Sequence, residues 1–197
     1  MLKNRYCQLK VMCIYIVSLV FAFEILFFSP YSAIADSLNT STNLHRIADI
    51  LSINPPDGFN LKGKPRYYGT VENKLEHGTI FDYIDGAGEN HIRHGFSAVC
   101  HVVLENNGGD RIILDIYDMA SNQNAAGAFE DEAICAADSI PLDLGGQLKA
   151  KTYSYPPDYM LYFVTESYLV HLSLDNDVYR NKVEALAIEI IKIIKEE

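Results

Sequence analysis

Alternating apolar and polar positions mark several strands along the chain. Every second residue of segment 96–104 is apolar, a period of two that is typical of a half-buried strand. A run of Asn and Gly at 106–109 then predicts a hairpin turn, because these residues tolerate positive φ. Further segments rich in aromatic and β-branched residues follow, separated by short turns. The pattern predicts five strands, at 96–104, 111–117, 148–155, 159–165 and 168–174.

Helical spacing of apolar residues occurs in three other places. Residues 79–94 have this spacing, Ser121 is a suitable N-cap for a second helix, and Asp177 is a suitable cap for the last one. Helices and strands do not alternate in βαβ units, and no glycine-rich phosphate loop follows a strand. We therefore expect an α+β fold, an antiparallel sheet of about five strands with helices packed on it.

The first 35 residues have the composition of a signal peptide. A basic start precedes the apolar run 11–28, and small residues follow it. We predict cleavage between Ala35 and Asp36. The alternative is an uncleaved membrane anchor at 11–28, since about 20 apolar residues span a bilayer. Glu24 within the run disfavours the anchor, because a charge near the bilayer centre is costly.

The predicted mature chain begins at Asp36. We expect a loose lead-in over 36–55, which ends in a proline-rich breaker, and a single α+β domain over 56–197. Cleavage leaves 13 basic and 25 acidic residues, a net charge of −12. Such a surface repels nucleic acids and anionic membranes. We therefore expect a periplasmic or extracellular protein that contacts a membrane only if its N-terminal segment is retained.

Two cysteines, Cys100 and Cys135, follow the predicted leader. An exported compartment permits a disulfide between them, but two buried free thiols fit the sequence equally well. The chain has no cysteine and histidine spacing typical of zinc sites. We expect no cofactor and no metal ion.

The densest cluster of polar groups is FDYIDGAGENHIRHGF, residues 81–96. Taken as one straight helix, it places its carboxylates and Arg93 on one face, and His91 on the opposite, apolar face. A single metal ion could not then bind both sets, and His91 is predicted to be a core ring. Three carboxylates, those of Asp82, Asp85 and Glu89, are predicted to form a face that is exposed to solvent.

The glycines of this segment leave its shape open. Gly86 and Gly88 either let the helix pack closely on a neighbour, which we favour, or break it, because each glycine in a helix costs about 1 kcal/mol relative to alanine. Paired carboxylates can also serve as general acid and base if burial separates their pKa values. A hydrolase that uses Asp82, Asp85 and Glu89 is therefore the alternative function.

Two separated motifs resemble an uncharacterised exported bacterial family, catalogued as domain of unknown function 6599. The first is the run 81–89 followed by Gly95 and Phe96, and the second is IYDMAS at 116–121 followed by AAGAF at 125–129. The resemblance covers roughly residues 56–135. It implies a fold signature and an exported location, and no activity.

The resemblance also implies a shared polar site. Tyr83, Glu89, Tyr117 and Asp118 match the family pattern, and Asp85 stands where the family tends to have Asn. These five are the candidate ligand-binding residues, and no residue is predicted to be catalytic. We predict a non-enzymatic domain of the cell envelope that binds a small ligand or a protein partner.

Overall fold

A computed structural model of the protein describes residues 44–51, 54–145 and 148–196. The predicted cleavage site at Ala35 and Asp36 and the apolar run 11–28 lie outside the described residues. Among the helices of the described part, none is both long and apolar enough to cross a membrane.

An antiparallel sheet of eight strands forms the centre of the described chain. The strands are β1 Phe59–Leu61, β2 Arg66–Gly69, β3 Ala98–Asn106, β4 Arg111–Asp118, β5 Ile140–Pro141, β6 Lys149–Tyr155, β7 Asp158–Thr165 and β8 Tyr168–Leu174. Their order in the sheet is β1-β3-β4-β8-β7-β6-β5, and β2 pairs with β3 beside β1. The predicted α+β fold is confirmed, but the predicted number of about five strands is wrong. The additional strands β1, β2 and β5 have two to four residues, too few to show an alternating pattern.

Helices cover the first face of this sheet and part of the second. Ser121 caps the helix Asn122–Glu130 as predicted and accepts a hydrogen bond from the backbone N–H of Asn124 at 3.2 Å. Asp177 does not cap the last helix, whose N-cap position is Tyr179 without a side-chain cap. Asp177 instead begins a 3₁₀ turn, Asp177–Tyr179, which Asn176 caps. The helices are α1 (44–51), α2 Ile80–Ile84, α3 Gly88–Arg93, α4 Asn122–Glu130 and α5 Arg180–Lys195.

The main core lies on the first face, where α1 and α5 pack on the sheet. Strand alternation directs residues such as Cys100, Leu114 and Leu172 to this side. Part of the predicted loose lead-in belongs to this core, because α1 falls within 36–55 and buries four apolar side chains. They are Leu44, Ile47, Ala48 and Leu51.

The segment 80–94 is a broken helix, and the straight helix that we favoured is wrong. It consists of α2, a 3₁₀ turn at Asp85–Ala87, and α3. Asp85 has a φ of 49° at the break. Gly88 is buried, and a Cβ there would lie 3.1 Å from Ile80 Cγ2. The missing side chain therefore lets the start of α3 pack against α2 after the turn.

Cys100 and Cys135 are both buried and free. Cys100 belongs to the core of the first face, and Cys135 belongs to the apolar cluster of the second face. The sheet separates the two thiols, so the disulfide considered from the sequence does not form in this structure.

The second face of the sheet consists of three parallel rows of side chains that cross the strands. The covered row lies under α2, α3 and α4, the polar row lies in the middle, and the open row lies at the other end. The covered row is Val99, Tyr117, Leu169 and Val164. The polar row is Arg66, His101, Asp115, His171, Tyr162 and Lys151. The open row is Val103, Ile113, Ser173, Met160 and Tyr153.

Candidate functional site

The polar row arises from strand register. Asp115 in β4 lies opposite His101 in β3 and opposite His171 in β8, and His171 lies opposite Tyr162 in β7. Directly opposite residues of antiparallel strands point to the same face with their Cβ atoms about 5 Å apart. Four polar side chains from separate strands therefore meet on one face of the sheet.

Asp115 is the centre of this row and is only 4% exposed. Its Oδ1 accepts a hydrogen bond from the hydroxyl of Tyr83 at 2.6 Å and lies 2.8 Å from His101 Nδ1. His171 Nδ1 lies 3.7 Å from the other carboxylate oxygen. Burial alone raises the pKa of Asp115, but its contacts with His101 and His171 outweigh burial and lower the pKa to about 2. Asp115 is therefore a buried carboxylate that is ionised at neutral pH.

His171 is held by its neighbours on both strands. Its ring stacks on Tyr162 with 4.6 Å between centroids and 7° between planes, while Nδ1 faces Asp115. Nε2 is buried and has no hydrogen-bond partner among the described residues. A histidine oriented by a carboxylate can act as a general base when a nucleophile lies within hydrogen-bond reach. No described serine, threonine or cysteine meets that condition at Nε2.

Tyr83 connects the broken helix to the polar row. Its ring extends from α2 and stacks on Tyr68 of β2 with 5.0 Å between centroids, and its hydroxyl lies 2.7 Å from His101 Nδ1. Burial and then the nearby charge of Asp115 raise the pKa of Tyr83 far above its ordinary value. The phenol therefore stays neutral and remains a hydrogen-bond donor to the carboxylate.

The structure does not bring the other four predicted site residues to the polar row. Asp85 and Glu89 are exposed. Tyr117 is buried in the covered row and stacks on His91 with 4.4 Å between centroids. Asp118 is buried at the end of β4 and accepts a hydrogen bond from the backbone N–H two residues on, at 2.7 Å. Of the five candidates, Tyr83 alone hydrogen-bonds to Asp115.

The carboxylates of segment 81–96 are not a buried acid–base pair. Asp82 is exposed and forms a capping box with Thr79, whose backbone N–H and hydroxyl both donate to Asp82 Oδ2. The backbone hydrogen bond from Thr79 lowers the pKa of Asp82. This geometry assigns Asp82 to helix capping, and Asp85 and Glu89 are also exposed.

The two histidines of the segment have separate contacts. His91 is 6% exposed, as the apolar side of the helical wheel requires, and burial lowers its pKa. His94 lies 2.8 Å from Asp131 Oδ2, to which Arg93 also donates at 3.1 Å. These contacts tie the end of α3 to the loop after α4. Over the described residues, no group of three His, Cys, Asp or Glu side chains is placed to hold a metal ion.

A groove of about 240 Å³ lies at the open end of the second face. Three residues of the open row, Ile113, Ser173 and Met160, form its floor. Each floor residue lies two positions along its strand from a member of the polar row, and Tyr162 donates a hydrogen bond to Met160 Sδ at 3.3 Å. The rest of the lining is Arg111, Asp158, Leu174 and Asp175.

The charges at the groove are one cation and two carboxylates. Arg111 donates to Asp175 twice, from its backbone N–H at 2.7 Å and from Nε at 3.2 Å. The carboxylate of Asp158 is exposed and has no hydrogen bond or ion pair within the described chain. The groove therefore has an apolar floor and one unpaired negative charge at its rim.

Asp115, His101 and His171 were not among the predicted site residues, although each has a detectable signal. Asp115 stands within the apolar run IILDIY, His101 within VCHVV and His171 within LVHLSL. A titratable residue inside an apolar strand is informative, because burial requires it to have a partner. The partners themselves come from other strands, so the sequence alone does not identify them.

Comparisons with known proteins found no matching family model and no matching curated protein. Among solved structures, the chain is similar to a GTP-binding regulator from Thermotoga maritima, at 10% identity and a TM-score of 0.42. That likeness covers 78% of this chain and 87% of the other. It is also similar to the extracellular domain of PknH from Mycobacterium tuberculosis, at 9% identity and a TM-score of 0.43, over 76% of this chain and 91% of the other. Neither likeness bears on the function of this chain.

Proposed function

We propose that this chain is an exported, non-enzymatic domain that binds a small ligand in the groove of the open row. The groove itself is the observation that supports this function. Its floor offers Ile113 and Met160 to an apolar ligand body, and Ser173 lies between them as a polar group. A concave, mostly apolar surface with a few polar groups is typical of small-molecule sites.

The non-enzymatic assignment is supported by the chemistry beside the groove. His171 is oriented by Asp115 but has no nucleophile at Nε2 among the described residues. The carboxylates of the alternative hydrolase, at positions 82, 85 and 89, are all exposed. Asp115 and its partners instead bind one another in the row beside the floor of the groove.

Export is the second part of the proposal. It rests on the basic start, the apolar run 11–28 and the small residues before Asp36. The resemblance to the exported family of domain 6599 supports the same location. Mass spectrometry of the protein recovered outside the cytoplasm should give the mass of a chain that begins at Asp36. Recovery of the intact chain from the membrane fraction would instead support the anchor.

Ligand binding can be tested by NMR of the full chain labelled with ¹³C at methionine methyl groups. The chain has four methionines, of which Met160 lies in the floor of the groove and Met119 is completely buried elsewhere. We expect hexan-1-ol, used as a simple apolar probe, to shift the Met160 signal saturably and to leave the Met119 signal in place.

Two variants show whether the probe occupies the groove. Ile113→Trp fills the floor and should abolish the Met160 shift. Ser173→Leu is a smaller change in the same floor, to be used where Ile113→Trp impairs folding, and it should weaken the Met160 shift. Ile140→Trp is the matched control, because Ile140 is 66% exposed and lies outside the groove. A Met160 signal that never responds, or that responds equally in Ile113→Trp, would contradict the proposed function.

A further inference from the structure

The charges that line the groove indicate the chemical class of its ligand. Arg111 is the cation of the lining, and its backbone N–H and Nε both bind Asp175. The Nε contact is the ion pair between the two residues, so the charges of Arg111 and Asp175 offset each other. Asp158 keeps an unpaired carboxylate among the described residues, so the lining carries one net negative charge.

The unpaired carboxylate lies at a defined distance from the apolar floor. Asp158 and Met160 are two residues apart in β7 and point to the same face, so their Cα atoms are about 6.6 Å apart. Ser173 lies directly opposite Met160 in β8. A ligand whose apolar body packs on Ile113 and Met160 therefore has the Ser173 hydroxyl beside it. The Asp158 carboxylate is the charged group within its reach.

The net charge of the whole chain also favours a cationic ligand over an anionic one. The chain carries a formal net charge of −10, which raises the local concentration of cations and lowers that of anions. An anionic ligand would have to compete with Asp175 for Arg111 and would also be repelled by Asp158. A single unpaired carboxylate offers too few protein ligands for a calcium ion, which takes six to eight oxygen ligands.

We infer that the groove binds a primary amine with an apolar body, of the class of alkylamines and arylalkylamines. This inference rests on the proposed function. The body packs on Ile113 and Met160, and the ammonium group forms an ion pair with Asp158 at the rim of the groove. The Ser173 hydroxyl accepts a hydrogen bond from the ammonium group or from a polar substituent of the body.

A matched series of hexyl compounds tests the inference in the same Met160 NMR titration. Hexylamine, hexan-1-ol and hexanoate share one apolar chain and differ in the charge of the head group. We expect hexylamine to bind about fivefold more tightly than hexan-1-ol, the upper range for a solvent-exposed ion pair, and hexanoate to bind most weakly. Added NaCl should weaken hexylamine binding and leave hexan-1-ol binding unchanged.

Asp158→Asn should reduce hexylamine affinity to that of hexan-1-ol without changing hexan-1-ol affinity. Asp138→Asn, an exposed carboxylate outside the groove, is the matched control and should leave both affinities unchanged. If hexan-1-ol binds but hexylamine binds no more tightly, or if Asp158→Asn leaves hexylamine affinity unchanged, the inference is wrong and the groove remains a ligand site. If no compound shifts Met160, the proposed function fails with it.

Discussion

The two ends of the second sheet face are built from the same strands and have different surroundings. At one end, helices cover Val99, Tyr117 and Leu169, none of which is more than 5% exposed. At the other end, Ile113 and Met160 are partly exposed and form the floor of the groove. Covering one end stabilises the fold, whereas the open end leaves apolar surface available for binding.

The polar row marks the boundary between these two ends. Asp115 is ionised and buried, so it needs donors on the sheet and from the helix above it. Tyr83 is the donor that α2 supplies, while His101 and His171 come from the adjacent strands. The apolar cluster under the helices therefore stops at a buried charge that has its own hydrogen-bond donors, and the rest of the sheet face needs no helix to cover it.

Removing the charge of the polar row should have the largest effect on stability. Asp115→Ala removes the buried carboxylate that the Tyr83 hydroxyl and His101 Nδ1 contact, and removing one partner of a buried charged pair costs about 3–5 kcal/mol. We expect the free energy of unfolding in urea to fall by about 4 kcal/mol. Ser173→Ala in the open row should change it by less than about 0.5 kcal/mol. A loss below about 1 kcal/mol for Asp115→Ala would show that the row is not a structural boundary.

Truncation of equivalent apolar residues should separate the two ends directly. Leu169→Ala creates a cavity under the helices and should lower the free energy of unfolding by about 3 kcal/mol. Ile113→Ala removes a partly exposed side chain and should cost about 1 kcal/mol. Chemical denaturation of both variants checks this difference. Equal losses would mean that the open row is as well packed as the covered one.

The stability of the polar row should depend on pH in the acid range. The pKa of Asp115 is about 2 in the folded chain and near 3.9 in an unfolded chain. Its ionised form therefore stabilises the fold above pH 4, and this contribution is lost as the pH falls from about 4 to 2. Relative to Asp115→Asn, the wild-type chain should lose stability over that range by up to about 1.4 kcal/mol per pH unit. A constant difference between the two proteins would contradict the lowered pKa.

The smallest effect concerns the break that positions Tyr83 over the row. Gly88→Ala places a methyl group 3.1 Å from Ile80 Cγ2, whereas a Cβ at Gly86 has nothing within 4 Å. Crowding in a packed contact costs about 1–3 kcal/mol and offsets the helix propensity gained by alanine. We expect Gly88→Ala to be at least about 1 kcal/mol less stable than Gly86→Ala in thermal or urea denaturation. Equal stability would show that the close packing of α3 on α2 is not needed.

Local patterns predicted much of the fold. Alternation over 96–104 predicted β3, and the hairpin signal at 106–109 predicted its antiparallel partner β4. The same reasoning found β6, β7 and β8, because seven or eight residues suffice to show a period of two. It missed the short strands β1 and β5 and did not favour the break at Asp85, because these features depend on contacts with other segments.

The candidate site was predicted only in part. Tyr83 came from the resemblance to an exported family, and its partly buried side chain does donate a hydrogen bond to Asp115. Asp85 and Glu89 came from the same motif and are exposed, Asp85 in the 3₁₀ turn and Glu89 in the first turn of α3. A motif shows that residues lie close in sequence, but burial decides which of them meet the rest of the fold.

The sequence by itself determined the period of each long strand, the acidic charge of the chain and the apolar or polar character of each position. Only the tertiary structure decided the register that places His101, Asp115 and His171 in one row. It also decided which end of the sheet face the helices cover. The physical reason is that periodicity is a property of one segment, whereas register and coverage depend on contacts between segments far apart in the chain.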